Sequence, residues 1–351
     1  MTYNLREDLD YVLVHTQGIW EALGGQRIFI TGGTGFVGTW IVETLIHANE
    51  RLKLNTRAVL LTRNPDAFRQ KVPEAANHPS IEFLTGEAHS FAYPDGEFPF
   101  IIHAATERSV PATPDRPVAT FDRDLEGTRH VLEFARTHAT DRFLFTSSGA
   151  AYGKQPSEIS HLSEDYAGAP FTFDTNSAYG QAKHASEFVC SMYAKQFGFA
   201  AVNARLFAFS GPHLPIDLNF AIGNFVRDVL KGGPVRIGGD GTPYRSYLYA
   251  ADLAVWLWRL LLRGESGRIY NVGSARAISI ADLAKIVVEN TVPGTAIEIA
   301  SKPVRGAAPA RYVPSVERAR TEQGLEPLVS LEEGIQKMYQ WNRARWRTCG
   351  S

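Results

Sequence analysis

The chain has 351 residues, 44% of them hydrophobic, so it can bury a sizeable core, and its length suggests about two domains. Its 36 basic and 37 acidic residues give a net charge of −1, which argues against binding to nucleic acid or to an anionic membrane. The two cysteines, Cys190 and Cys349, match neither a disulfide framework nor a zinc spacing. We therefore expect no metal site and a reducing, cytoplasmic location.

The chain carries no segment typical of export or of membrane insertion. The place of a signal peptide's apolar run holds charged residues, namely Arg6, Glu7, Asp8 and Asp10. The longest apolar stretch, LAVWLWRLLL at 253–262, contains Arg259 and is shorter than the ~20 residues of a membrane span. It is predicted to be a core helix.

Taken in chain order, the predicted elements alternate between strands and helices. Residues 5–23 have mixed helical spacing before a Gly–Gly stop. Strands are then predicted at 27–31, 57–62, 81–86, 100–106, 142–148 and 200–207, and the longer helices at 118–138 and 177–197. This alternation predicts an α/β fold with a doubly wound parallel sheet and helices on both faces.

The pattern changes after residue 208, where glycine- and proline-rich loops separate shorter elements. We predict a helical extension at 1–25, an α/β domain at 26–208 and a smaller region at 209–351. No clean linker separates the last two, so we expect them to be interleaved.

A glycine motif, TGGTGFVG at 31–38, lies between the first predicted strand and its helix. Gly32, Gly35 and Gly38 would allow a tight turn, close approach of a pyrophosphate and packing of helix on strand. The helix that follows, beginning near Phe36 and Val37, offers unpaired N–H groups and the positive end of its dipole. In this context the motif predicts that residues 26–208 form a dinucleotide-binding Rossmann domain.

A second motif, YGQAK, places Tyr179 and Lys183 four residues apart on a predicted helix, and hence on one face. A phenol with an ordinary pKa of ~10 is a poor acid–base catalyst at neutral pH, but an adjacent ammonium favours its ionised form. The pair is a candidate for proton transfer, although such a pair alone is usually a surface coincidence.

These motifs occur in one order with HAAT (103–106) on the fourth strand and two serines (147–148) on the fifth. Together they resemble the extended short-chain dehydrogenase/reductase family, in its NAD(P)-dependent nucleotide-sugar epimerase, dehydratase and reductase branch, over about residues 26–330. The resemblance implies a substrate-binding region mainly within 209–351 and a nucleotide-diphosphate sugar as substrate. It also implies a homodimer formed through the helices at 118–138 and 177–197.

The resemblance implies three catalytic residues. Tyr179 is the general acid–base on the sugar, and Lys183 holds the nicotinamide ribose and favours the ionised form of Tyr179. Ser148, four residues before the Tyr152 of the family's VYG element, hydrogen-bonds the reacting oxygen. The cofactor contacts expected from motif and resemblance are Gly32, Gly35, Phe36, Val37, Gly38, Arg63, Glu87, Ala104, Ala105, Thr106, Ser147, Tyr179 and Lys183.

The implied substrate contacts are Ser148, Asn224 and Arg245. Arg245 is expected to clamp the diphosphate, because a guanidinium suits bidentate phosphate recognition. Arg305 and Arg311 are weaker candidates for phosphate or ribose contacts, and His103 is expected to pack beneath the cofactor rather than act as a base.

Two residues depart from the family pattern. Asp124 stands where the family usually has an asparagine that supports the catalytic lysine. Glu87 stands where the family often uses aspartate to meet the adenine amine, and glutamate is a tolerable replacement.

The residues after Ser148 carry no acid. In the 4,6-dehydratases of the family an Asp–Glu pair stands there, and the decarboxylases carry a glutamate. Here Gly149 and Ala150 can neither donate nor accept a proton. Elimination by that mechanism is therefore disfavoured.

The leading hypothesis is a 4-ketoreductase acting on a nucleotide-linked sugar, and the alternative is a 4-epimerase. A 4,6-dehydratase or a decarboxylase is less favoured, and a non-catalytic dinucleotide sensor is a hypothesis of another class.

The second strand ends in Thr62 and Arg63, followed by Asn64, with no acid before Asp66. Because an acid there selects NAD and an arginine accommodates a 2′-phosphate, we expect NADP, with NAD as the alternative.

Overall fold

A computed structural model describes residues 3–106, 116–218 and 220–348. The strands are β1 (Arg27–Thr31), β2 (Arg57–Thr62), β3 (Ile81–Thr85), β4 (Phe100–His103), β5 (Arg142–Ser148), β6 (Ala200–Leu206), β7 (Phe209–Ser210), β8 (Val235–Ile237), β9 (Tyr244–Arg245), β10 (Leu248–Tyr249), β11 (Ile269–Val272), β12 (Ile278–Ser279), β13 (Ile297–Ile299) and β14 (Arg311–Tyr312). The helices are α1 (Leu5–His15), α2 (Phe36–Leu52), α3 (Pro65–Lys71), α4 (Pro73–Ala76), α5 (Pro117–Thr137), α6 (Ala178–Phe197), α7 (Ala221–Leu230), α8 (Ala250–Arg263), α9 (Ile280–Asn290), α10 (Glu317–Gln323) and α11 (Leu331–Thr348), with short 3₁₀ helices at Trp20–Leu23, Gly149–Tyr152 and Thr175–Ser177.

Seven strands form the central sheet, in the order β3-β2-β1-β4-β5-β6-β11, and all neighbours are parallel. The predicted doubly wound α/β fold is confirmed. The order reverses between β1 and β4, and ligands of such sheets bind at the carboxyl ends of the strands beside this point. The predicted strand at 100–106 is shorter than expected, because the sheet pairing ends at His103.

Each face of the sheet is covered by its own set of helices. Along β1, Ile28 and Ile30 enter one core and Phe29 enters the other, as expected from the two-residue period of a strand. The first core includes residues of α1, α2 and α8, and the second includes residues of α5 and α6. Residues 253–262 lie in α8, the core helix predicted from the sequence. Across the described ranges, no helix is long and apolar enough to cross a membrane.

The residues after β6 build smaller sheets and a third core beside the carboxyl edge of the central sheet. Strand β9 pairs with β12 and with β14, and β8 pairs with β13. Helices α7, α9 and α11 pack around this third core. The register of β9 and β14 places Tyr312 opposite Arg245. Strand β11 nevertheless belongs to the central sheet, so this part of the chain and residues 26–208 share one sheet.

Residues 5–23, which have helical spacing in the sequence, form two helical elements rather than one. Helix α1 ends at His15, a positive φ of 74° at Gly18 turns the chain, and a 3₁₀ helix follows. The buried carboxylate of Asp8 accepts hydrogen bonds from the hydroxyls of Tyr3 (2.7 Å) and Tyr249, and pairs with Lys337 at 2.8 Å. These contacts tie the N-terminal segment to β10 and α11.

Candidate active site

The glycine turn after β1 is packed too closely for side chains. Gly32 has a φ of +70°, and a Cβ on it would lie 2.5 Å from the backbone of Ala104 and Ala105. A Cβ on Gly38 would lie 2.2 Å from the carbonyl oxygen of Gly32. Both positions therefore need glycine, and the turn is pressed against the end of β4. Gly35 is less constrained, since its Cβ would make only an ordinary contact at 3.4 Å.

Helix α2 begins at Phe36 directly after this turn. Gly35 occupies the N-cap position, where no side chain accepts a hydrogen bond from the first N–H groups. Those N–H groups, at Phe36 and Val37, and the close turn form a cradle that suits a diphosphate. The residues present therefore fit the dinucleotide predicted from the sequence.

A cavity of about 220 Å3 lies at the carboxyl end of β2. It is lined by Thr34, Thr62, Arg63, Asn64, Ala67, Phe68 and Lys71. No acidic side chain is among these lining residues, and two are cations. Lys71 was not recognised in the sequence; its Nζ lies 3.4 Å from the carbonyl oxygen of Thr34, and burial lowers its pKa, opposed by Glu43.

Glu87, the predicted contact of the adenine amine, is not among the residues that line this cavity. It follows β3, and its carboxylate lies 3.3 Å from the ring of His89. Its role toward the adenine remains a prediction.

His103, at the end of β4, is wholly enclosed beneath the site. Its Nδ1 lies 2.7 Å from the hydroxyl of Thr31, and its Nε2 lies 3.2 Å from that of Thr128. Burial, reinforced by the nearby charge of Lys183, lowers the pKa of His103 to about 3. The ring is therefore neutral at physiological pH, which agrees with a packing role rather than a catalytic one.

Asp124, the departure from the family's asparagine, is buried on α5. Its carboxylate accepts a hydrogen bond of 3.0 Å from the hydroxyl of Thr106, one of the predicted cofactor contacts. Asp124 thereby supports the segment that follows β4.

The three predicted catalytic residues come from β5 and α6. Lys183 is buried, donates a hydrogen bond of 3.2 Å to the carbonyl oxygen of Thr146, and has its Nζ 5.8 Å from the ring centre of Tyr179. Ser148 ends β5, and its Oγ accepts a hydrogen bond of 3.1 Å from the N–H of Ala150. This arrangement offers a phenol, an ammonium and a hydroxyl at the carboxyl edge of the sheet.

The space beside Ser148 is filled by two aromatic side chains that sequence reasoning missed. A Cβ on Gly149 would lie 2.6 Å from the hydroxyl oxygen of Tyr312 and 2.8 Å from the ring of Phe207. The rings of Phe207 and Tyr312 are themselves in contact, with centroids 4.7 Å apart. An acid at this position would have to displace the Tyr312 and Phe207 side chains. No pattern near Tyr312 could have indicated this, because only the pairing of β14 with β9 brings it to the site.

A buried polar network supports β5 from behind. The hydroxyl of Ser147 donates a hydrogen bond of 2.5 Å to Glu187, whose carboxylate also binds Arg205 in a bidentate pair at 2.9 and 2.6 Å. The guanidinium of Arg205 lies 4.0 Å from the ring centre of Tyr152, and the hydroxyl of Tyr152 donates to Asn271 at 2.8 Å. Ser147, predicted as a supporting cofactor contact, thus has its hydroxyl engaged with Glu187.

The predicted substrate residues lie on the C-terminal side of the site. Asn224, on α7, lines a cleft of about 300 Å3 with residues that include Phe225, Arg236 and Gly239. The guanidinium of Arg245 lies 5.9 Å from the ring centre of Tyr312 and donates to the carbonyl oxygen of Tyr244 at 2.8 Å.

The other two predicted arginines lie in or near β14. Arg311 places its guanidinium 4.4 Å from the ring centre of Tyr244, and Arg305 lies on the loop that leads to β14. Within the described part of the chain, no group of three or more His, Cys, Asp or Glu side chains could hold a metal ion.

Comparisons with known proteins agree on the family. Residues 28–273 match the model of the NAD dependent epimerase/dehydratase family. UDP-glucuronic acid decarboxylase 1 of Xenopus tropicalis is 28% identical over 319 residues, which are 91% of this chain and 72% of the relative. UDP-glucuronic acid decarboxylase 6 of Arabidopsis thaliana is also 28% identical over 319 residues, 91% of this chain and 89% of the relative.

Solved structures share the fold at lower sequence identity. A UDP-glucose 4-epimerase of Thermotoga maritima, with UDP-glucose, gives a TM-score of 0.76 at 21% identity, covering 91% of this chain and 99% of that one. A dTDP-glucose 4,6-dehydratase of Bacillus anthracis, in complex with NAD, gives 0.74 at 21% identity, covering 92% and 98%. The chain therefore belongs to the NAD-dependent epimerase/dehydratase family and is an enzyme of the extended short-chain dehydrogenase/reductase type.

Proposed function

We propose that this enzyme oxidises or reduces a nucleotide-linked sugar at C4. The observation that supports the proposal is that Lys183 lies beside Tyr179 and Ser148 ends β5 at the carboxyl edge of the sheet, the edge where the glycine cradle follows β1. The cradle and the residues after β2 and β4 would hold NAD(P), which when bound would supply or accept the hydride.

The protein's own groups handle the oxygen on C4. In the reductive direction the hydroxyl of Tyr179 gives its proton to that oxygen, while the hydroxyl of Ser148 donates a hydrogen bond to it. Lys183 keeps a positive charge near Tyr179, which stabilises the phenolate left after proton transfer. The oxidative direction runs through the same groups in reverse.

The nucleotide part of the substrate is assigned to the C-terminal side of the site. The cleft lined by Asn224 has a volume of about 300 Å3, enough for part of a nucleotide, and Arg245 follows closely after the lining segment 236–243. A guanidinium is well suited to two diphosphate oxygens. We keep Arg245 as the proposed diphosphate clamp.

Three net reactions compete within this chemistry: ketoreduction, 4-epimerisation and decarboxylation. Both relatives named above are UDP-glucuronic acid decarboxylases. This similarity favours decarboxylation over the ketoreductase hypothesis. Oxidation at C4 of a uronic acid makes a β-keto acid, whose C5–C6 bond can break with release of CO2 because the C4 carbonyl accepts the electron pair. The filled position at Gly149 and the methyl of Ala150 favour simple ketoreduction, because neither supplies an acid beside the sugar.

One panel of substrates separates these reactions. The purified enzyme is incubated with UDP-glucuronic acid and NAD, with a nucleotide 4-keto-6-deoxyhexose and NADPH or NADH, and with UDP-glucose and NAD, each beside Tyr179→Phe. Release of CO2 with a UDP-pentose identifies a decarboxylase, stoichiometric loss of reduced cofactor a ketoreductase, and interconversion without net redox an epimerase. Cofactor binding without conversion of any substrate would overturn the proposal and favour the sensor hypothesis.

We further propose that the enzyme prefers NADP. The cavity after β2 presents Arg63 and Lys71 with hydroxyl and amide groups, and its lining includes no carboxylate that would repel a 2′-phosphate. Two of the solved structures that share the fold are complexes with NAD or NAD+, so this preference would distinguish the present chain from those proteins.

Titration of NADP, NAD and 2′,5′-ADP tests this preference without turnover. Wild type should bind NADP more tightly than NAD. Arg63→Ala or Lys71→Met should each weaken NADP and 2′,5′-ADP by roughly 10- to 100-fold, the worth of one charge-assisted hydrogen bond, with NAD little changed. Lys285→Met, which removes an exposed cation on α9, is the matched control. Tighter NAD binding in wild type would reject the preference and strengthen the epimerase hypothesis.

A further inference from the structure

Helix α7 presents one amide side chain to the cleft on the C-terminal side of the site. The buried residues of α7 face the third core, whereas Asn224, in the same helix, lines the cleft of about 300 Å3. Arg227 follows on the same helix face, and its Nη1 donates a hydrogen bond of 3.1 Å to Oδ1 of Asn224. Because a guanidinium carries only donors, the atom of Asn224 that faces it must be the amide oxygen.

Arg227 is in turn anchored to strand β8. Its Nη2 donates a hydrogen bond of 3.1 Å to Oδ1 of Asp228, and Oδ2 of Asp228 accepts the backbone N–H of Arg236 at 3.2 Å. Arg236 belongs to β8 and lines the same cleft. The side chains of Arg227 and Asp228 are only 26% and 12% exposed, so these contacts are largely shielded from water. The fold therefore fixes the orientation of the Asn224 amide before any ligand binds.

This orientation leaves the NH2 group of Asn224 available to a ligand in the cleft. Within the described part of the chain, the amide nitrogen has no hydrogen-bond partner. An amide NH2 group offers two donors and no acceptor, so the ligand atom that meets it has to be an acceptor, such as a carbonyl oxygen. A ligand amine at the same place would bring two donors together and leave both without a partner.

The pyrimidine bases of nucleotides differ in this property at one position. Carbon 4 of the ring carries a carbonyl oxygen in uracil and thymine, but an amine in cytosine. This carbon lies opposite the nitrogen that bears the ribose, so it is the edge of the base that enters a cleft farthest from the sugar and the diphosphate. A fixed donor in the cleft therefore matches uracil and thymine and disfavours cytosine.

We propose that Asn224 donates a hydrogen bond to the 4-carbonyl oxygen of a uracil or thymine base, and that Arg227 is the positioning residue that makes this contact selective. The inference rests on the proposed function, since it takes the nucleotide of the substrate to lie in this cleft. Arg245 would then hold the diphosphate, while Asn224 selects the base.

Nucleotide binding tests this selectivity without turnover. UDP, dTDP and CDP are titrated calorimetrically into enzyme saturated with its cofactor, so that they cannot occupy the cofactor site. The tighter of UDP and dTDP should bind at least about 10-fold more tightly than CDP, because cytosine would place its amine against the NH2 group of Asn224. Equal affinities would refute the selectivity alone, whereas no binding of any of the three would also reject a nucleotide-linked substrate. The expected preference without conversion of any panel substrate would support the base contact and reject only the proposed reaction.

Variants of the two residues test their separate roles. Asn224→Asp keeps the contact with Arg227 but replaces the NH2 donor by an acceptor, so it should reverse the preference in favour of CDP. Arg227→Met lets the amide turn and should reduce the wild-type preference by about 3- to 10-fold. Lys231→Met, which removes an exposed cation at the end of the same helix, is the matched control and should leave the preference within about twofold. An unchanged preference in Asn224→Asp would contradict the proposal even if Arg227→Met does not fold.

Discussion

At the residue scale, the reaction depends most directly on the hydroxyl of Tyr179. Tyr179→Phe removes the proton donor and keeps the ring, so turnover should fall by ~10²–10⁴-fold while cofactor affinity changes little. Initial rates and a fluorescence titration of the reduced cofactor measure the two effects separately. Tyr193→Phe is the control on the same helix, because its hydroxyl binds Glu133 instead. Turnover near the wild-type rate in Tyr179→Phe would show that another group transfers the proton.

The residues that could be predicted from sequence are those whose roles depend on near neighbours in the chain. Gly32 and Gly38 act within one turn, and Tyr179 and Lys183 within one helix face, so their spacing reveals them. Tyr312 lies more than 130 positions beyond Tyr179 in the chain, and only the pairing of β14 with β9 brings it beside Gly149. The missing acid at Gly149 was visible in the sequence, whereas the phenol that takes its place was not.

At the scale of elements, α6 is joined to β6 by the buried ion pair between Glu187 and Arg205. Glu187→Gln keeps the shape but leaves the guanidinium without a countercharge, so the free energy of unfolding should fall by about 3–5 kcal/mol. The matched control is Glu332→Gln, because Glu332 binds Arg276 in an equally bidentate but exposed pair. Urea unfolding of each variant against wild type measures both changes. Similar small losses in the two variants would contradict a special role for the buried pair.

Most of the elements follow from local patterns, and the exceptions have a long-range cause. The apolar strands β1, β2 and β5 coincide with their predicted ranges, because buried parallel strands are short continuous apolar runs. Strand β11 was not predicted as part of the same sheet, since its pairing with β6 depends on α8, which lies between the two strands in the chain and packs against β6. The pairs formed by β9, β12 and β14 are only two residues long and leave no periodicity to detect.

At the scale of the whole molecule, the packing of the central sheet explains why the chain could be divided into domains only approximately from its sequence. Helix α8 and strand β11 come from the C-terminal part, yet they complete one face and one edge of the central sheet. The loops become rich in glycine and proline after residue 208, but elements beyond that residue still pack in the core and sheet of the first domain. The domain boundaries therefore remain predictions, and so does the expected interleaving of residues 26–208 with residues 209–351.

The outer surface of α6 leads to the last prediction, that two copies associate through α5 and α6. Phe188 and Met192, one helical turn apart, leave 67% and 43% of their surface exposed and so form an apolar pair on the outer face of α6 that a second copy could cover. Wild type should therefore have twice the chain mass in light scattering at micromolar concentrations, and Phe188→Glu should reduce it to a monomer. Val14→Glu changes an apolar side chain that is 58% exposed on α1, a helix that packs with the opposite core, and should leave the dimer intact. A monomeric wild type, or a dimer that survives Phe188→Glu, would exclude this surface as the interface.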